Sequence, residues 1–192
     1  KNVSSVSIKK KETTRSVSGQ IVYENISELV VLISCGSTFG SGVVISEDGL
    51  ILTNWHVIDG FSSVGVTFKP PGFSEVDPSS QYIADVLGSD EIGDLAVIKL
   101  RNTSKIKGFV EFANESEIKV AARVHAIGHP LGEFWSYNTG IISNYRKNYI
   151  WVGENIQHRA DVILNNTNIN PGNSGGPLLN DDKKILGINS FF

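Results

Sequence analysis

The sequence predicts an all-β fold made of two barrels. Short apolar runs recur along the chain between clusters of Gly, Pro, Asp and Ser such as 69–74, and this spacing is typical of barrels and sandwiches. A polar stretch at 101–120 divides the runs into two groups, which indicates two barrels. With 192 residues, 40% of them hydrophobic and 19% charged, the chain is long enough for one good core or two small ones.

The elements are predicted in chain order from local composition. Residues 1–20 are rich in Ser, Thr and Lys and predict a flexible, solvated arm, which is favoured over a binding element. Residues 21–28 predict a short helix. The first barrel (21–105) and the second (106–192) then take the predicted strands: 29–35, 41–46, 50–54, 64–68, 82–87 and 95–100, followed by 122–128, 138–143, 149–152, 161–164, 177–179 and 184–189.

Composition disfavours several classes of partner. A net charge of −3 without a basic face argues against nucleic acid, and no apolar run is long enough to span a membrane. The lone Cys35 cannot form an internal disulfide and is interpreted as a small buried hydrophobe rather than a reactive thiol.

The remaining histidines and the tryptophans predict neither a cofactor nor a metal site. His125 and His129 are four residues apart, but Gly-His-Pro excludes a helix that would bring both onto one face. His158 is predicted to be a solvated loop residue. Trp55 and Trp135 are predicted to pack in the barrels, a role favoured over lining the cleft.

The segment 168–177, Asn-Ile-Asn-Pro-Gly-Asn-Ser-Gly-Gly-Pro, has the composition needed to mount a reactive hydroxyl. Its small residues let the backbone turn sharply around Ser174. A serine hydroxyl becomes a nucleophile when a base takes its proton and an acid orients that base. Ser174 therefore requires two partners elsewhere in the chain.

Both partners have candidates upstream of Ser174. His56 follows the run 40–54, which predicts two strands joined by a Glu-Asp-Gly turn, so the hairpin would present His56 just past its second strand. Asp94 directly precedes the apolar strand 95–100 and is expected to be partly buried. Taken singly, the three are better explained as a surface histidine, a capping aspartate and a turn serine; together they predict a catalytic triad.

Four segments carry a resemblance to a known family. They are 40–58, 94–100, 126–132 and 170–180. Residues 126–132 read Ala-Ile-Gly-His-Pro-Leu-Gly, where the family usually has Ile-Gly-Asn-Pro. In this order they resemble chymotrypsin-fold (trypsin-like) serine proteases, and most closely the HtrA/Deg protease domain. The resemblance covers residues 20–190 and implies two six-stranded antiparallel β-barrels with the active site between them.

The resemblance implies a role for each site residue. His56 would be the general base, Asp94 would orient it, and Ser174 would attack a peptide carbonyl. Gly172, Asn173 and Ser174 would form the oxyanion hole, with the N–H groups of Gly172 and Ser174 as donors. Because Asn173 stands where the digestive relatives have an aspartate, activation by N-terminal cleavage is not expected.

The resemblance also locates the specificity pocket. Asn168 would lie at its floor, where the absence of a carboxylate disfavours cleavage after Lys or Arg. Small or medium aliphatic residues are expected before the cut, although Asn168 departs from the small apolar residue usual in HtrA proteases. Ile188, Asn189 and Ser190 would form the edge strand to which an extended substrate adds.

The region after Ser174 is short. The family normally adds one more strand, which closes the second barrel and lines the pocket, so the second barrel is expected to be incomplete at the C-terminus. A PDZ domain often follows in the family, and none is expected within this chain. By resemblance the protein is expected in the bacterial periplasm, secreted or membrane-anchored, and a homotrimer is left open beside a monomer.

Three functional hypotheses follow. The first is a serine endopeptidase that cleaves unfolded polypeptides in protein quality control. The second is a catalytically silent module of the same fold that binds extended peptides as a chaperone or scaffold. The third is a protease with one dedicated substrate in a regulatory cascade. The complete set His56, Asp94, Gly172 and Ser174 favours an enzyme over a silent module.

Overall fold

The computed structural model describes residues 18–72, 76, 80–153 and 156–190. The predicted N-terminal arm therefore lies outside the described residues, except for its last three. The chain enters helix α1 (Gly19–Ile26), which begins earlier than predicted because the Ser18 hydroxyl accepts a hydrogen bond from the N–H of Gln20. Helix α1 is followed by a 3-10 turn at Ser27–Leu29.

Six strands form a closed antiparallel barrel in the first half of the chain, as predicted, in the order β1-β2-β3-β6-β5-β4. Its core is built from inward-pointing side chains that include Ile33, Ile51, Val66 and Ile98, all with no exposed surface. The strands are β1 (Val30–Cys35), β2 (Thr38–Val44), β3 (Leu50–Thr53), β4 (Ser63–Phe68), β5 (Tyr82–Asp90) and β6 (Leu95–Leu100).

The second half of the chain forms a five-stranded antiparallel sheet in the order β11-β10-β7-β8-β9. Its edges approach each other, since a Cβ on Gly187 would lie 3.7 Å from Cδ1 of Ile163. The sheet is therefore a nearly closed barrel of five strands, as expected. The strands are β7 (Arg123–Gly128), β8 (Ser136–Gly153), β9 (Ile156–Asn165), β10 (Pro177–Leu179) and β11 (Ile185–Ile188).

Strand β8 differs from the prediction, because 138–143 and 149–152 belong to one strand rather than two. The register against β9 shifts twice, between Ile142 and Asn144 and between Arg146 and Tyr149. Such bulges break the alternation of polar and apolar residues by which a strand is recognised. Strands β8 and β9 consequently form one long hairpin.

A shared apolar cluster joins the two sheets. Val30 and Val43 of the first barrel pack in it with Ile127 and Leu179 of the second sheet. Trp135 lies in the same cluster at 5% exposure, and its Nε1 donates a hydrogen bond to the carbonyl of Val30 at 2.8 Å. Trp135 thus packs between the sheets, as predicted. Trp55 is half-buried against the core of the first barrel.

The β8–β9 hairpin also contacts the first barrel, at the loop between β5 and β6. The N–H of Arg159 donates to the carbonyl of Ile92 at 2.8 Å, and Nδ1 of His158 lies 2.9 Å from the carbonyl oxygen of Glu91. The hairpin therefore ties the second sheet to the loop that ends at Asp94.

The prediction for His158 is wrong. His158 lies within β9 and is only 4% exposed. Its ring stacks on Trp151 with centroids 5.1 Å apart and lies 6.4 Å from the ring of Trp55. Two aromatic neighbours and the hydrogen bond to Glu91 offset the loss of hydration.

Among the described residues, no helix is long and apolar enough to cross a membrane.

Candidate active site

His56 lies in a single helical turn, α2 (Trp55–Ile58), directly after strand β3. The preceding turn between β2 and β3 places Gly49 at a φ of 91°, a conformation that favours glycine. Val57 and Ile58 are buried in the first barrel, so α2 is anchored on one side. The His56 side chain keeps 16% of its surface exposed, and the hairpin presents it where the sequence predicted.

Asp94 lies immediately before β6, as predicted, and is 3% exposed. Its φ of 54° is left-handed, a conformation that aspartate adopts more readily than most residues. Nδ2 of Asn54 donates to the carbonyl of Asp94 at 2.8 Å. Asn54 thereby links the residues before His56 to the loop that carries Asp94.

Three donors converge on the carboxylate of Asp94. Nδ1 of His56 lies 2.9 Å from both oxygens, and the N–H of His56 donates to Oδ1 at 3.1 Å. The Ser190 hydroxyl donates to Oδ2 at 2.8 Å. Because a carboxylate only accepts hydrogen bonds, Nδ1 of His56 carries the hydrogen and Nε2 is the nitrogen able to take a proton.

The same donors keep Asp94 ionised. Burial acts to raise the pKa of Asp94, but the hydrogen bonds and charge of His56, with the Ser190 hydroxyl, hold this pKa below its ordinary value. Asp94 is therefore a carboxylate at neutral pH and stabilises a positive charge on His56.

Ser174 lies in the loop between β9 and β10 and is 4% exposed. Its carbonyl accepts a hydrogen bond from the N–H of Ser41 at 2.7 Å. A Cβ on Gly40 would lie 2.7 Å from the side chain of Val57 and 3.2 Å from the Ser174 carbonyl oxygen. Ser174 and the residue after His56 therefore meet at the same glycine.

Two glycines allow the loop around Ser174 to make this turn. Gly172 and Gly175 have φ values of 101° and 86°. A Cβ on Gly172 would lie 2.1 Å from the carbonyl oxygen of His129, and one on Gly175 would lie 2.0 Å from that of Ser41. Neither position has room for a side chain.

The N–H groups of residues 172–175 divide into two that support the turn and two that have no acceptor among the described residues. The N–H of Asn173 donates to the carbonyl of Asn170 at 3.0 Å and that of Gly175 to Asn189 at 2.9 Å. In the part of the chain that the structure describes, the N–H groups of Gly172 and Ser174 donate to no backbone or side-chain oxygen. Asn173 therefore supports the turn, while Gly172 and Ser174 have N–H groups available for an oxyanion.

The four residues predicted to bind substrate line one cavity of about 780 Å³, which also reaches Asp94. Ile188 ends β11, and Asn189 and Ser190 follow it. Asn168 is exposed, and its side-chain oxygen accepts a hydrogen bond from Nδ2 of Asn170 at 3.2 Å. The amide of Asn168 is thus partly engaged within its own loop.

Sequence reasoning missed two contacts of Asp94. It placed Ser190 in the pocket edge without predicting its hydrogen bond to Asp94, and it did not single out Asn54. Neither residue has a distinctive local pattern, since both act through contacts with a loop far away in sequence.

The two other histidines before the loop contact different partners. Nδ1 of His125 lies 2.7 Å from the Tyr137 hydroxyl and its Nε2 lies 2.9 Å from Asp181, whereas Nδ1 of His129 lies 2.8 Å from the Ser41 hydroxyl. In the described ranges, no group of three His, Cys, Asp or Glu side chains could hold a metal ion.

Relatives with similar sequences are named as serine proteases. The chain is 35% identical over 151 residues to a probable periplasmic serine endoprotease DegP-like of Chlamydia muridarum, covering 79% of this chain and 28% of that protein. It is 36% identical over 156 residues to the serine protease Do-like HtrA of Bacillus subtilis, covering 79% of this chain and 33% of that protein. The chain thus spans about a third of these relatives.

Solved structures give the same result. The HtrA-type protease AlgW with a tripeptide superposes with a TM-score of 0.74 at 29% identity, covering 90% of this chain and 54% of that one. The family described as "Trypsin-like peptidase domain" matches residues 40–188. Since this match covers most of the chain, the chain belongs to the trypsin-like peptidase family, and the relatives described above are proteases of the HtrA type.

Proposed function

We propose that this chain is a serine endopeptidase whose triad is His56, Asp94 and Ser174. The observation that carries the proposal is the contact of Nδ1 of His56 with both oxygens of Asp94 at 2.9 Å, next to the glycine-rich loop of Ser174. This contact orients the imidazole and fixes its tautomer, as general-base catalysis requires.

In the proposed mechanism, Nε2 of His56 takes the proton of the Ser174 hydroxyl as its oxygen attacks a peptide carbonyl. Asp94 stabilises the imidazolium that forms. The N–H groups of Gly172 and Ser174 stabilise the negative oxygen of the tetrahedral intermediate. His56 then gives its proton to the leaving amine, and water releases the acyl group from Ser174 by the same steps.

We further propose an extended polypeptide as substrate. It would pair with the backbone of 188–190 as an added strand, and its side chain before the cut would enter the cavity near Asn168. The AlgW structures contain a tripeptide or a decapeptide, which supports a peptide ligand here. No carboxylate at position 168 could pair with Lys or Arg, so small or medium aliphatic residues are the proposed preference.

The proposed setting is protein quality control outside the cytoplasm. Relatives that the chain matches are named periplasmic, which supports the location, and unfolded polypeptides are the substrates that the resemblance to the HtrA/Deg domain implies. The oligomeric state, monomer or homotrimer, is testable by light scattering.

Ser174→Ala tests the proposed function directly. We expect wild type to cleave fluorescently labelled unfolded casein and to react covalently with a peptidyl phosphonate, and we expect Ser174→Ala to do neither. Ser89→Ala, an exposed serine on β5, is the matched control and should behave as wild type.

Two outcomes would contradict the proposal. Equal phosphonate labelling of wild type and Ser174→Ala would exclude Ser174 as the nucleophile. Binding of casein peptides without cleavage, unchanged in Ser174→Ala, would instead support a catalytically silent peptide-binding module.

A further inference from the structure

A buried chain of hydrogen bonds leads from His129 to the loop of Ser174. Nδ1 of His129 lies 2.8 Å from Oγ of Ser41, and the Ser41 hydroxyl donates to the carbonyl of Gly172 at 2.7 Å. The N–H of His129 also approaches this carbonyl at 3.3 Å. His129 and Ser41 have no exposed surface, so the chain is shielded from water.

The directions of these hydrogen bonds follow from the number of available hydrogens. The Ser41 hydroxyl has one hydrogen, and the Gly172 carbonyl can only accept it. Ser41 therefore accepts its second hydrogen bond from Nδ1–H of His129, which fixes the tautomer of the imidazole. Burial lowers the pKa of His129 to about 3, so the ring is neutral in neutral solution.

The other side of the imidazole is aromatic. The ring of His129 packs edge-on against Trp135 with centroids 4.8 Å apart and lies 6.0 Å from Phe134. Among the described residues, Nε2 of His129 has no hydrogen-bond partner. Nδ1 is thus the only polar atom of the His129 side chain with a partner in this region, and that partner is Ser41.

The segment 129–131 also fixes the peptide bond between Pro171 and Gly172. The N–H of Leu131 donates to the carbonyl of Pro171 at 2.9 Å. In a trans peptide the C=O and N–H groups point in opposite directions, so this bond directs the N–H of Gly172 away from residues 129–131. The carbonyls on both sides of Gly172 are consequently fixed.

We propose that His129 and Ser41 are positioning residues for the oxyanion hole, acting through the carbonyl of Gly172. The inference rests on the proposed serine protease function and adds residues that touch neither substrate nor the reacting atoms. Gly172 has a φ of 101°. Because glycine can adopt many backbone conformations, the peptide groups on either side of Gly172 could also take other orientations. The His129–Ser41 pair holds the 172–173 peptide, which lies between the N–H groups of Gly172 and Ser174 and therefore sets how these two donors are placed relative to each other.

The transition state should depend on this pair more than substrate binding does, because the oxyanion forms only during the reaction. His129→Leu keeps an apolar side chain against Trp135 but removes the donor to Ser41. We expect kcat on a peptide substrate to fall about tenfold to a hundredfold, with KM within a factor of about two. His129→Asn, whose amide can take the place of Nδ1–H, should recover most of the loss.

A double-mutant cycle tests the connection between the two residues. Ser41→Ala alone should lower kcat about as much as His129→Leu, and the double variant should be no worse than either single one, since all act through one carbonyl. The rate of covalent reaction with the phosphonate should follow the same order, because its tetrahedral adduct occupies the oxyanion hole.

His125→Leu is the matched control. His125 is equally buried on β7, the strand that ends one residue before His129, but its partners are Tyr137 and Asp181. It should lose stability while keeping kcat. Three outcomes would overturn this inference without affecting the proposed protease function. Wild type could react with the phosphonate no faster than His129→Leu, the losses in the cycle could be additive, or kcat could fall equally in His125→Leu. Wild type that never reacts would overturn the protease function as well.

Discussion

At the scale of single residues, Asp94 determines which nitrogen of His56 is basic. Its carboxylate accepts from Nδ1, and this leaves proton transfer to Nε2. An amide in its place could donate to Nδ1 and so stabilise the wrong tautomer.

Asp94→Asn should therefore abolish most activity without unfolding the protein. We expect kcat on labelled casein to fall by about 10⁴, while near-ultraviolet circular dichroism stays unchanged. Asp85→Asn is the control, since it alters an exposed ion pair with Arg101. A loss of less than about tenfold in Asp94→Asn would contradict the role given to Asp94.

His129 predicts a pH dependence of stability. Burial lowers its pKa from 6.5 to about 3, so between these values the unfolded chain binds a proton that the folded chain does not. This part of the stability is complete above pH 6.5 and is lost as the pH falls, by about 1.4 kcal/mol per pH unit. Urea unfolding of wild type and His129→Asn from pH 7 to 4 measures it, and the variant should show the shallower slope. Parallel slopes would show that His129 is not a buried neutral base.

The catalytic candidates were predictable because each lies at a recognisable local position. His56 ends a hairpin, Asp94 begins a strand, and Ser174 lies among glycines. The Ser190 hydroxyl and the His129 imidazole were not predicted to contact this site. Their partners are distant in sequence, and only tertiary packing brings them together.

At the scale of elements, the β8–β9 hairpin is the part that the sequence described least well. Its bulges divided one strand into two in the prediction, and its buried His158 was assigned to solvent. Periodicity indicates whether a side chain faces a core, but it does not reveal that the His158 ring stacks on Trp151.

His158→Ala should weaken the junction of hairpin and barrel. The change removes the stacking on Trp151 and the hydrogen bond to Glu91, which together contribute about 2–3 kcal/mol. We expect Tm to fall by about 5–10 °C, as measured by differential scanning calorimetry. Val152→Ala on the same hairpin, where Val152 is 74% exposed, should leave Tm unchanged; equal shifts for the two variants would contradict this role.

At the scale of the whole molecule, the division into two β units was predictable from the spacing of apolar runs and turns. The closed first barrel was predicted strand by strand. The contacts that join the units, through Trp135 and through the hairpin, are not local and could not be read from periodicity.

Cys35 gives a probe of global opening. It is 2% exposed at the end of β1, and burial raises the pKa of its thiol to about 11, so it should behave as the small buried hydrophobe that the sequence predicted. We expect iodoacetamide to modify Cys35 only through unfolding, at a rate that rises with urea as the unfolded population rises. Rapid alkylation in the absence of urea, followed by mass spectrometry, would show that the first barrel opens locally.

The dependence of Asp94 on the second half of the chain has a consequence during biosynthesis. A ribosome releases His56 and Asp94 first, and His158, the proposed nucleophile Ser174 and Ser190 emerge only later. The Ser190 donor to the carboxylate and the His158 contact with its loop are both still unmade when the first barrel can fold. A nascent chain is therefore expected to lack the complete proposed site until residues 158–190 have left the ribosome.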